Sequence, residues 1–360
     1  MNTQSSPRVS RSRFGILPDS NEVECVTLQG AGGFEARIIT YGAVLQALLV
    51  PDAGGRRDDV VLGQDTLDGY VARRQFFGAT VGRYANRIAG ARFVLDGAVV
   101  QLAANDGLNA LHGGSGGFDR HNWQVVSVEE GARPAVTLAR TSADGEEGYP
   151  GTLEVEVTWR LAGPLELLLD MTARTDRSTV VNLTNHSFFN LAGAGSRRDI
   201  LDHRLTLAAD HFLAIDAGAI PLPQPPCAVV GTPFDFRAGA EIGARIRDDH
   251  PQLCHGRGYD HNFCLAPASE GLRLAARLAA PRSGRTLELF TNQPGLQVYS
   301  GNFLDGAIAG KGGRLYRQSD GICLEPQAWP DTPNRPDFPT AHLFPAEIYR
   351  HTTLYRFTHG

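Results

Sequence analysis

The chain has 360 residues, 42% hydrophobic and 20% charged, with a formal net charge of −5, the composition of a soluble globular protein. Its 34 basic residues are scattered rather than clustered, which argues against a nucleic-acid partner. Five cysteines (Cys25, Cys227, Cys254, Cys264, Cys323) show no framework spacing and fit reduced thiols in a cytoplasmic protein.

Residues 1–12 include Arg8 and Arg11 but lead into no apolar segment, so they predict a mobile tail rather than a secretory signal, and no run along the chain is long enough for a membrane span. The remainder, 13–360, carries neither repeat nor linker and is expected to form one domain. Strands are expected near 36–50. Phe93–Leu102 reads as a hairpin, because Asp96-Gly97 supplies the positive φ angles of a tight turn. From Leu153 to Leu161 every odd position is apolar, and Leu165, Leu167, Leu169 and Met171 repeat the alternation beyond a Gly163-Pro164 break. Two half-buried antiparallel strands follow from that period of two. More strands are expected near 204–208, 286–290 and 353–357, with one short connecting helix over 238–247. The Pro-rich 221–226 reads as an ordered surface loop or a sheet-edge segment. Many short strands and few short helices predict an all-β fold, a large antiparallel β-sandwich.

Chemistry in such a fold must come from polar residues that interrupt the alternation. Five segments do so. Gly82-Arg83-Tyr84-Ala85-Asn86-Arg87-Ile88 sets guanidinium and amide donors among small residues, suited to hydroxyl-rich ligands or simply to a solvated loop. Leu111-His112-Gly113-Gly114 surrounds an imidazole with glycines that let backbone approach closely. Asn182-Leu183-Thr184-Asn185-His186-Ser187-Phe188-Phe189-Asn190-Leu191 puts three asparagines and a histidine in an apolar run, costly unless every amide is bonded. His186, whose ordinary pKa is near neutrality, is the first choice for an acid–base group. Around Asp260 lie Cys254, His255 and His261, but their spacing lacks the paired ligands that favour zinc, and no metal is expected. Glu325 ends the buried-looking run Gly321-Ile322-Cys323-Leu324, where a carboxylate is expensive unless it is functional or paired with an arginine; burial would raise its pKa and make it a stronger base.

In this order, the five segments together with Gln293-Pro-Gly-Leu-Gln-Val-Tyr-Ser-Gly-Asn-Phe303 resemble the aldose 1-epimerase (galactose mutarotase) family, from about Phe14 to Phe357. The resemblance implies a β-supersandwich and an isomerase of free aldohexoses such as galactose and glucose. It implies His186 as the acid that protonates the ring oxygen and Glu325 as the base that removes the anomeric hydroxyl proton, with His112 beside the ring oxygen. Arg87, Asp260 and Gln297, with Asn86 beside them, would hold the other hydroxyls. Neither cofactor nor metal is implied, and the partner is a small monosaccharide, with no nucleic acid and no membrane; the chain would act as a monomer or homodimer. Three other readings stand beside this one: an epimerase of hexose 6-phosphates, which needs unpaired basic residues for the phosphate; a glycoside hydrolase using Asp260 and Glu325; and a noncatalytic sugar-binding module, which needs no His–Glu pair.

Overall fold

The computed structural model describes residues 7–267 and 271–359. Three antiparallel sheets, of nine, six and five strands, hold most of the strand residues among those described. In the nine-stranded sheet Leu153–Gly163 buries its odd positions while Glu154 and Glu156 face solvent. It pairs with Glu166–Thr175 so that Val157 stands opposite Met171. The inner side chains of this sheet, among them Val155, Val157, Trp159 and Met171, join residues of the other two sheets in one large apolar core. Each fully buried Val or Leu there contributes roughly 1.5–3 kcal/mol, which drives the sheets together.

The five-stranded sheet runs in chain order through Arg8–Ile16, Glu22–Gln29, Glu35–Ile39, Val44–Pro51 and Arg57–Asp59. The tail expected over 1–12 therefore does not hold for residues 8–12, which belong to a strand. Residues 1–6 lie outside the described residues, but Arg8–Ser12 pair with Cys25–Gln29. Arg11 also forms a salt bridge with Glu24 at 2.7 Å. The basic residues that looked like a solvated tail are the outer face of an edge strand.

The expected hairpin closes between Arg92–Leu95 and Ala98–Gln101, with Asp96 at φ 50° and Gly97 at φ 79°. The expected helix over 238–247 is absent. Ala240–Glu241 add a short edge strand and Ile242–Ala244 make one 3-10 turn, since Gly239 at φ 74° turns the chain into the strand and too few residues follow to complete an apolar stripe. Short α-helices instead occupy Leu67–Ala72, capped by the Thr66 hydroxyl, and Pro251–Gly256, begun by its proline. The Pro-rich segment forms only an isolated bridge, Pro221 to Ile215, and leads into Cys227–Ala228, the edge strand of the six-stranded sheet.

The six-stranded sheet positions the site. Its register sets Asp260 opposite Tyr299 and Tyr299 opposite Cys323, then Asn262 opposite Gln297 and Gln297 opposite Glu325. Residues directly opposite share a face, so one face carries this polar set. The alternate residues Phe263, Leu296, Val298, Ile322 and Leu324 point the other way, into the core.

Candidate active site

His186 comes from the segment Thr184–His186, which pairs with Ala79–Val81. The asparagines around it are cross-links. Asn182 donates to the Ala85 carbonyl at 3.0 Å and accepts from the Ala328 amide at 2.8 Å. Asn185 donates to the Gly78 carbonyl at 2.8 Å, and Asn190 to that of Asp320 at 2.9 Å. The Thr184 hydroxyl donates to the Pro326 carbonyl at 2.8 Å. These bonds offset the cost of burying the amides and fasten His186 between the 78–85 segment and the strand that carries Glu325.

All seven residues singled out in the sequence, Asn86, Arg87, His112, His186, Asp260, Gln297 and Glu325, line one cavity of about 210 Å³. His112 enters it from a left-handed backbone position, φ 51°. The following Gly113 allows this, since a Cβ there would lie 1.9 Å from the Gly82 carbonyl. The Asn86 amide donates to His112 Nδ1 at 3.1 Å, so the neutral ring carries its proton on Nε2. Burial, followed by the neighbouring His186 and the charges of Arg87 and Arg74, pushes the His112 pKa well below the usual histidine range.

His186 is enclosed by aromatic rings. Phe188 stacks at 5.0 Å and Phe76 at 5.6 Å, and His112 meets it edge-on at 5.4 Å. Desolvation by these rings lowers its pKa to about 4. Its Nε2 lies 3.8 Å from Glu325 Oε1. Glu325 is 2% exposed. Burial first, and the nearby Asp260 second, raise its pKa well above the carboxylate range. The alternative of an arginine partner does not hold among the described residues: Glu325 Oε2 has no hydrogen-bond partner, and neither has Gln297 Oε1.

Asp260 accepts from Gln297 Nε2 at 2.7 Å. Burial raises its pKa, against the lowering by Arg87 and Gln297. Beneath it, the Asp260 amide donates to His261 Nδ1 at 3.1 Å while His261 Nε2 meets Gln252 Oε1 at 3.2 Å. Both nitrogens of His261 are thus engaged in a support for Asp260. His186, Cys323 and Glu325 offer a nitrogen, a sulfur and an oxygen within 4.8 Å of one another. Yet the sulfur sits 3.4 Å from Nδ1 and the carboxylate 3.8 Å from Nε2, opposite nitrogens of one ring, so the set is not arranged around a single ion.

The arginines at the cavity already have carboxylate partners. Arg87 pairs with Asp106 at 2.7 Å and Arg74 with Asp119 at 2.5 Å. Arg83, from the same motif, is buried and donates to the Pro150 and Gly151 carbonyls at 2.9 and 2.8 Å, a clamp remote from the ligand space. Sequence reasoning missed Arg74, Phe76 and Tyr299 as lining residues and passed over the Cys323 thiol. Arg74 carried no signal, since Arg73-Arg74 is only a short pair among scattered basic residues. Tyr299 carried a usable signal, since it stands two residues beyond Gln297 and shares its face.

The chain matches the family described as Aldose 1-epimerase over residues 24–356. It is 47% identical over 351 residues to a galactose mutarotase of Bos taurus, covering 97% of this chain and 98% of the other. It is 36% identical over 344 residues to an aldose 1-epimerase of Escherichia coli strain K12, covering 95% and 97%. Its fold is similar to the crystal structure of galactose 1-epimerase from Lactobacillus acidophilus, with TM-score 0.86, 28% identity, and coverage of 99% and 100%.

Proposed function

The chain belongs to the aldose 1-epimerase family, as an isomerase that interconverts the α and β anomers of aldoses such as galactose, and from that premise we propose how its own residues do so. Opening a hemiacetal requires a proton taken from the anomeric hydroxyl and another delivered to the ring oxygen. Those two oxygens sit on one carbon, so acid and base must be neighbours without being bonded to each other. His186 Nε2 and Glu325 Oε1, 3.8 Å apart, meet that requirement, and this is the observation that carries the reading. Glu325 removes the hydroxyl proton and His186 protonates the ring oxygen. The open aldehyde turns about its C1–C2 bond, recloses on the other face, and the two groups exchange roles. Each positioned group contributes about 10²–10⁴-fold.

Burial disfavours charge on both members, since the His186 pKa is lowered and that of Glu325 raised. Between the two pKa values the free pair holds a single proton, on the carboxyl. A bound sugar supplies hydrogen bonds that favour the ionic arrangement: its anomeric hydroxyl donates to the carboxylate and its ring oxygen accepts from the imidazolium. His112, with its Nε2 proton, donates to the ring-oxygen side. Asp260 and Gln297 Oε1 accept from hydroxyls, while Arg87 and Asn86 donate.

Free sugars fit this site better than hexose 6-phosphates, because Arg74 and Arg87 are each neutralised by an aspartate. Polarimetry of freshly dissolved α-D-galactose and α-D-glucose, with and without the protein, tests the reading against their 6-phosphates. Acceleration confined to the phosphates would overturn it. Residues 13–360 act as one domain on this view, as a monomer or homodimer. Among the described residues no helix is long and apolar enough to cross a membrane, and the five unpaired thiols suit the reducing cytoplasm.

A further inference from the structure

Cys323 and Glu325 are two residues apart on the strand Ile322–Gln327, so both project from the same face. Between them they address the two nitrogens of one imidazole. Cys323 Sγ lies 3.4 Å from His186 Nδ1, and Glu325 Oε1 lies 3.8 Å from Nε2. Cys323 is fully buried and belongs to an apolar cluster with Leu62, Phe77, Phe188 and Leu304.

The reaction decides which nitrogen must carry the proton of neutral His186. An imidazole that gives its Nε2 proton to the ring oxygen, and takes it back on reclosure, has to keep Nδ1 protonated throughout. Nδ1 needs an acceptor that does not compete for Nε2. We propose that Cys323 is a positioning residue whose sulfur accepts the Nδ1 proton of His186, holding the tautomer with a bare Nε2 toward Glu325 and the sugar. His186's own backbone carbonyl acts in the same sense. His112 is held the opposite way, with Nδ1 accepting and Nε2 protonated. The cavity thus contains one histidine fixed as a donor and a second free to exchange a proton.

A thiol suits this role because it orients without adding charge. A carboxylate at the same place would stabilise the imidazolium permanently, whereas the pair needs a proton that moves easily in either direction. Burial, followed by Glu325 and Asp260, keeps Cys323 protonated by raising its pKa.

The inference rests on His186 being the proton-transfer group, and two separate measurements keep the claims apart. In the resting wild-type protein, ¹⁵N NMR of His186, assigned by its loss in His186→Gln, is expected to show a protonated Nδ1 and a bare Nε2. The Nε2-protonated form would overturn the proposal whatever the kinetics. In mutarotation assays Cys323→Ala is expected to lower kcat roughly 5- to 10-fold, the worth of one buried hydrogen bond, with KM little changed. Cys323→Ser, which keeps an acceptor, is expected to restore most of that loss. Full kcat in Cys323→Ala, or equal losses in both variants, would also overturn it. Full activity in His186→Gln would refute the underlying assignment instead.

Discussion

Asn86 and His112 hold each other through their backbones and one ring. The Asn86 amide donates to His112 Nδ1, and the His112 amide donates to the Asn86 carbonyl, both at 3.1 Å. Both residues take positive φ angles, 66° and 51°, conformations that Asn and His tolerate better than most residues. The pairing determines what His112 can do: it is a neutral donor at Nε2 and has no acceptor nitrogen left for a proton. Proton transfer therefore falls to His186 and Glu325.

The pH profile should reflect that division. The working form of the pair holds one proton. It is lost on the acid side when His186 takes a second, and on the alkaline side when Glu325 gives up its own. Because burial lowers the His186 pKa to about 4, the acid limb of kcat/KM is expected near pH 4. The alkaline limb should lie well above the usual glutamate range, in keeping with the raised Glu325 pKa. Stopped-flow polarimetry on folded enzyme checks this, and an acid limb near pH 6.5 would contradict it.

Stability should weaken on acidification for a related reason. Buried His112, His186, His203, His261 and His351 all have lowered pKa values, to about 4 for His186 and His351 and about 3 for His261. Their unfolded counterparts titrate near 6.5. Below that pH the unfolded chain binds protons the native state refuses, so the stabilisation present above 6.5 is lost as pH falls toward 4. Each such group weighs up to about 1.4 kcal/mol per pH unit. Glu325 and Asp260, with raised pKa values, act in the opposite sense and blunt the slope. Urea midpoints should drop between pH 7 and pH 5, and drop less in His351→Gln, whose native ring bonds the Leu183 carbonyl at 3.0 Å.

Removing a scaffold amide should affect folding and catalysis together. Asn185→Ala removes the side-chain donor to the Gly78 carbonyl at 2.8 Å, which keeps only the Leu45 amide, and leaves the Ser187 hydroxyl without its acceptor at 2.6 Å. A loss of about 1–3 kcal/mol is expected, with a fall in kcat as His186 loosens. Denaturation and kinetics on the same preparation test it. An unaltered urea midpoint would refute the cross-link reading.

The sandwich was legible in the sequence because an alternating run such as Leu153–Leu161 has a period that only a half-buried strand satisfies. His186 and Glu325 were legible as polar breaks in apolar runs, although their adjacency across more than a hundred residues of chain depended on the family resemblance. The asparagines next to His186 were ambiguous, since an amide bonded to backbone and one bonded to ligand have the same sequence signature. Arg74 and Phe76 were illegible because their place at the cavity depends on a loop crossing, not on any local period. The strand at Arg8–Ile16 was hidden because an exposed edge strand is as polar as a tail. The short helix expected over 238–247 failed because a weak apolar spacing cannot outweigh a glycine turn.

The central claim is that His186 and Glu325 act as one acid–base unit. Mutarotation rates of Glu325→Gln, His186→Ala and the double variant test it most directly, with circular dichroism confirming the fold. Groups that act as a unit are strongly non-additive. Each single change is expected to lower kcat about 10²–10⁴-fold, and the double variant should be little slower than either single one. Single variants that keep more than about a tenth of the rate, or losses that multiply in the double variant, would contradict the account.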